Sequence, residues 1–213
     1  MGVSMWRNNK GGWVVTNLAV MLAYALTANL SYALFEQFVV PFYPAAGVAV
    51  AAVLYWGYGV LPGIVLGGIL ADSLRIQMQG LDPGGALLLM NAVVALGAAA
   101  QAALGTALAR RWFGTELLLD EARQATGLLL AIGPLSCWLN AGVGTISLLL
   151  TGQVGPTEMG ETWLRWWLGE VAWITGAAPV MVPARLDKAT GGTTIVENRP
   201  GANANIGAEA AAR

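Results

Sequence analysis

The chain has 213 residues, 56% of them hydrophobic and 11% charged, with a formal net charge of -1 and a mean hydropathy of +0.61. Soluble domains carry about 25% charged residues, so this composition excludes an ordinary water-soluble fold and predicts an all-α integral membrane protein. With no histidine and one cysteine, Cys137, the chain has no intrachain disulfide, no Ser-His-Asp triad and few routes to a zinc or haem site. No basic patch is large enough for nucleic acid.

Six apolar segments predict a bundle of about six transmembrane helices. The first, 13–35, follows a polar N-terminus, residues 1–12, that holds Arg7 and Lys10. Its length and the spans behind it mark a retained anchor rather than a cleaved signal peptide. The second and third, 43–57 and 60–74, are expected to be short. No charge stands between Phe38 and Ala71, yet about 34 residues of helix reach only about 51 Å, less than two crossings of a core about 30 Å thick. Two short spans in a thinned bilayer and a re-entrant hairpin both fit. The run "PFYPAAG", with Pro44, opens this pair, and "WGYGVLPG" breaks it.

The fourth segment, 85–109, places Gly97, Gln101 and Gly105 on one face, and small residues there let helix backbones approach closely. The fifth, 126–150, carries its own file: Ser136, Asn140, Gly144 and Ser147. Interhelical hydrogen bonding and a ligand pocket are both open readings of these files.

The sixth, 162–182, holds Trp163, Trp166, Trp167, Glu170 and Trp173 at helical spacing. Glu170 lies about eight residues inside it, roughly 12 Å deep, where a charge costs at least about 2.5 kcal/mol. Such a group is partnered, protonated or functional. Arg165 falls nearly opposite on the helix, so the partner is expected from another span, with Gln101 or Asn140 best placed. A structural hydrogen bond, a sensing role and proton transport remain open for Glu170.

Charge placement predicts orientation. Arg7, Lys10, Arg110, Arg111, Arg123, Arg185 and Lys188 fall on one side. The opposite loops are expected to hold only Arg75 and Arg165, among Glu36, Asp72, Asp82, Glu158 and Glu161. The positive-inside rule puts both termini in the cytoplasm, with an even number of crossings.

The segments "YPAAGVAVAAVLYWGYGVLPGIVLGGILAD", "ALGAAAQAALGTALARRWFG" and "WLRWWLGEVAWITGAAPVMV" together resemble the first type of membrane-associated sensor domain, the MASE family, over residues 13–183. The matching positions are Pro44, Gly47, Pro62, Gly63, Gln101, Arg110, Arg111, Trp166, Trp167, Gly169, Glu170 and Pro179. Two positions depart from the pattern: Glu170 stands for the usual Asp, and Trp173 for the usual Gly. The resemblance implies a membrane-embedded input domain of about eight helices in a bacterial receptor, joined to cytoplasmic histidine kinase or diguanylate cyclase modules. No GGDEF-type sequence and no histidine are present, so a truncated domain without its output module is expected. The polar tail, 184–213, is expected to be disordered. Its end, "GGTTIVENRPGANANIGAEAAAR", resembles a fragment of the substrate-binding (Bug) receptors of tripartite tricarboxylate transporters, and reads as a fusion or frameshift scar.

The sequence therefore predicts a signal-input domain in the bacterial inner (plasma) membrane, without catalytic residues, metal ligands or cofactor. Its candidate ligand or signal residues are Glu170, Trp166, Trp167, Gln101, Asn140 and Pro44. The expected partners are the lipid bilayer and a small ligand of unknown identity, with a homodimer left open. The rival reading is a small membrane transporter, or a transporter subunit, that uses Glu170.

Overall fold

A long run of apolar residues without proline forms α1, Lys10–Leu34, of 25 residues. The structure is a computed structural model that describes residues 10–34, 43–80, 84–113, 133–172 and 174. Pro44 starts α2, Pro44–Trp56, at a position where proline's missing N–H costs no hydrogen bond. Gly57 then turns the chain at φ 82°, a left-handed conformation that suits glycine. A 3-10 turn, Tyr58–Val60, leads into α3, Leu61–Met78. The bundle continues with α4, Gly85–Phe113, and α5, Gly133–Leu150. A second 3-10 turn, Pro156–Glu158, precedes α6, helical over 159–172. Among the described residues there is no strand.

Among the described residues, four helical stretches are long and apolar enough to cross a membrane: Gly11–Leu34, Tyr58–Met78, Gly85–Trp112 and Gly133–Leu150. The second predicted span is short, as expected: α2 has 13 residues, or about 20 Å of helix. The third is not. Tyr58–Met78 has 21 residues, about 31 Å at 1.5 Å per residue. The predicted span ends at 74, and Asp72 and Arg75 are counted among the charges of the loop beyond it. Both lie inside α3, where Arg75 is only 5% exposed and sits 3.6 Å from Asp72. A buried charge paired along its own helix does not mark the membrane edge. The first part of the fifth predicted span and the last part of the sixth lie outside the described residues.

Glycines let α3 pack closely against α1 and α4. A Cβ on Gly63 would come 2.6 Å from the Asn17 carbonyl oxygen of α1, and one on Gly67 would come 2.8 Å from that of Met21. On another face, a Cβ on Gly68 would stand 2.9 Å from the Ala95 Cβ of α4. Close backbone approach of this kind is how membrane helices gain packing contact. Asn17 reinforces the α1–α3 seam. Its Oδ1 accepts from the Gly63 N–H at 2.8 Å, and its Nδ2 donates to the Gly59 carbonyl at 3.0 Å. The first bond satisfies a first-turn N–H of α3 that has no partner within its own helix.

The core gathers around α2, whose Ala45, Ala49 and Val53 are buried with Tyr24 of α1 and Ala98 and Ala102 of α4. Outside, Val15, Leu18, Leu22, Leu26 and Leu30 form an exposed apolar stripe along α1. Soluble proteins avoid so large an apolar patch; lipid is its natural solvent.

Candidate functional site

Glu170 of α6 is 1% exposed. Its Oε1 accepts two hydrogen bonds: from Asn140 Nδ2 of α5 at 2.8 Å, and from the indole Nε1 of Trp166, one turn earlier, at 2.9 Å. Two glycines make this arrangement fit. A Cβ on Gly97 of α4 would collide with Asn140 Oδ1, and one on Gly144 of α5 would run into the Trp166 ring. Gln101 of α4 approaches the same carboxyl. It lines a crevice with Glu170, Tyr24 and Ala49, and its Nε2 donates to Cys137 Sγ at 3.6 Å. The two predicted polar files thus converge: Gly97, Gln101 and Gly105 are all buried, as are Ser136, Asn140, Gly144 and Ser147.

Three oxygens in this cluster have no hydrogen-bond partner among the described residues: Asn140 Oδ1, Gln101 Oε1 and Glu170 Oε2. All three accept when the carboxyl is ionised, and unmatched buried acceptors are costly. A proton on Glu170 Oε2 converts one of them into a donor. Arg165 offers Glu170 no counter-charge, because it pairs with Glu161 on the exposed face of α6. Next to the cluster, Trp167 Nε1 donates to the Pro134 carbonyl at 2.9 Å. The Trp163 ring stacks on Trp167 at 5.8 Å and meets Trp138 edge-on at 5.7 Å. These rings fasten α6 to α5.

A second polar group adjoins the first. Tyr32 donates its hydroxyl to Asp72 Oδ1 at 3.1 Å, and the Arg75 guanidinium lies 5.2 Å over the Tyr32 ring. The hydroxyls of Tyr24 and Tyr43 stand 3.5 Å apart. A cavity of about 40 Å³ runs between this group and the other, reaching Asn140 and Trp166.

The family model MASE1 matches residues 14–186. The chain belongs to the MASE1 family. MASE1 domains are membrane-embedded sensor domains of signalling receptors, a sensory rather than a catalytic family. No curated protein and no solved structure matches the chain. The likeness of the tail to tricarboxylate receptors finds no support in these comparisons, and residues 191–213 lie outside the described part of the structure.

Within this MASE1 domain, four of the sequence-predicted residues meet: Glu170, Trp166, Asn140 and Gln101. Trp167 stands one step away, in the aromatic stack. Pro44 does not join them. It is buried in the first turn of α2 and lines neither the crevice nor the cavity; its part is to start a helix. Sequence reasoning missed Asp72, Arg75 and the three tyrosines. The signal was present, since Asp72 and Arg75 are three residues apart and so share a helix face, but it was read as loop charge.

Proposed function

We propose that the chain is the signal-input domain of a bacterial receptor in the plasma membrane, with both termini in the cytoplasm, and that the cluster around Glu170 registers the signal. One observation carries this reading. A single carboxyl oxygen ties α5 to α6, Gln101 of α4 lies beside it, and Gly97 and Gly144 leave no slack around its two donors. Tightly packed contacts of this kind have discrete arrangements rather than a continuum. A stimulus that favours one arrangement shifts the population of the bundle, and the C-terminal end of the last helix carries that shift towards the cytoplasm. Such a shift requires different affinities for the two packings.

The test is a chimera of this membrane region with a diguanylate cyclase output module. Glu170→Gln keeps a hydrogen-bonding side chain of the same size but fixes it neutral. Expected is a changed basal cyclase output at an unchanged level of membrane-inserted chimera. Identical output would leave the cluster as interhelical glue and remove it from signalling.

A further inference from the structure

The cavity beside Asp72 has a definite place in the bundle. Met90, early in α4, and Leu148, late in α5, line it together with Asp72, which stands about 9 Å from the C-terminal end of α3. It therefore lies towards the end where α3 is followed by α4 and α5 by α6. Under the orientation proposed above, that is the outer face. A water molecule needs about 10–15 Å³ of such space and about 30 Å³ of liquid volume. The cavity's 40 Å³ therefore admits about three waters, or one molecule of about five heavy atoms.

Its wall presents one carboxylate and one guanidinium side by side. Arg75 Nε is 3.6 Å from Asp72 Oδ1, and Arg75 Nη1 is 3.4 Å from Gln79 Oε1. Both are longer than the roughly 2.7–2.9 Å of a well-made charge-assisted hydrogen bond. The pair is neutral as a whole. A ligand with a single charge of either sign would add an uncompensated charge within the membrane-spanning bundle, which is expensive. A ligand carrying both charges stays neutral and can exchange one long contact for two short ones. Asn140 also lines this space; it is 2% exposed, and its Oδ1 has no hydrogen-bond partner among the described residues.

We infer that this cavity binds a small zwitterion of the amino-acid type, its ammonium received by Asp72 and its carboxylate by Arg75. The size limit favours the smallest member, glycine. The consequence for signalling rests on the sensory reading above. Drawing Arg75 towards a ligand alters its hold on the Tyr32 ring of α1, while the far wall, Asn140 and Trp166, consists of the two side chains bonded to Glu170.

The binding claim is tested separately from signalling. The full chain in lipid nanodiscs is titrated with radiolabelled glycine, with methylammonium and acetate as single-charge competitors. Expected is saturable binding of one glycine per chain, displaced by unlabelled glycine and not by either competitor. The double variant Asp72→Asn/Arg75→Gln keeps the wall neutral and should weaken binding by at least about tenfold, the least expected for losing a charge-assisted hydrogen bond. If that variant does not fold, Val94→Phe, which fills the cavity from α4, should abolish binding. Absence of saturable glycine binding overturns the inference, as does equal displacement by methylammonium or acetate, or full binding in the folded variant. Should glycine fail to bind while Glu170→Gln still changes the chimera's output, the ligand assignment falls and the sensory reading stands.

Discussion

Replacing Gly144 with alanine is the sharpest test of how the Glu170 cluster is built. A Cβ there would lie 2.5 Å from Trp166 Cζ3 and 2.6 Å from Cζ2, so the indole must move. The ring is rigid and anchored by its 2.9 Å hydrogen bond to Glu170, and any shift pulls on that bond. Overpacking costs about 1–3 kcal/mol, and a side-chain hydrogen bond in a membrane is worth about 0.6 kcal/mol. Against this, glycine to alanine in a helix gains about 0.5–1 kcal/mol. The net destabilisation is therefore about 1–3 kcal/mol.

Gly142 supplies the control on the same helix, because a Cβ there meets nothing within 4 Å. Gly142→Ala should keep the helical gain alone, so the two variants should differ by about 2–4 kcal/mol. The measurement is reversible unfolding in bicelles of fixed composition, followed by circular dichroism and by steric trapping. A double-mutant cycle with Trp166→Leu completes it: in that background the cost of Gly144→Ala should largely vanish. Equal stability of the two alanine variants, within about 0.5 kcal/mol, would refute the packing described here.

Three further outcomes are expected. Glu170→Gln should be nearly neutral for unfolding in the same bicelles, whereas Glu170→Leu strands the Asn140 and Trp166 donors and should cost about 1–2 kcal/mol; equal stability of the two would argue that neither donor is engaged. Gly63→Ala drives a Cβ to 2.6 Å from the Asn17 backbone oxygen, which cannot swing away as a side chain can, so cysteine pairs across the α1–α3 seam should crosslink more slowly than in the parent; an unchanged rate would contradict the close approach. Reporters fused after Arg111 or Lys188 should behave as cytoplasmic and those after Asp82 or Glu158 as periplasmic, and a periplasmic signal at Lys188 would overturn the proposed orientation.

The parts legible in the sequence were those that depend on a single helix. Spacings of three and four placed Gln101 with Gly97 and Gly105, and Asn140 with Ser136 and Gly144, before any neighbour was known. The depth of Glu170 demanded a partner, and discarding Arg165 left Asn140 and Gln101. What stayed hidden depended on two helices at once. Asp72 and Arg75 look like the end of a span until Tyr32 of α1 is seen bonding to one and lying under the other. The glycine spacing at Gly63 and Gly67 signals close packing, but only the fold shows that α1 uses it and that Gly68 serves α4. Pro44 stands apart for the opposite reason: it shapes its own helix and lines neither the crevice nor the cavity.

The two polar groups are joined by the side chains that both of them use. Asn140 and Trp166 donate to Glu170 on one side and wall the cavity on the other, so neither can move without changing both. In lipid no hydrophobic force closes the gap when such contacts part, and helix association rests on packing and hydrogen bonds. The glycines under Asn140 and Trp166 then act as a constraint rather than as slack: either ring and amide sit in their notches and Glu170 is bonded, or they leave and the carboxyl loses its donors. An input domain needs two distinct arrangements with a small free-energy difference between them. On the sensory reading proposed above, a buried carboxyl held by two donors, each seated against a glycine on a neighbouring helix, is the element that supplies that pair of states.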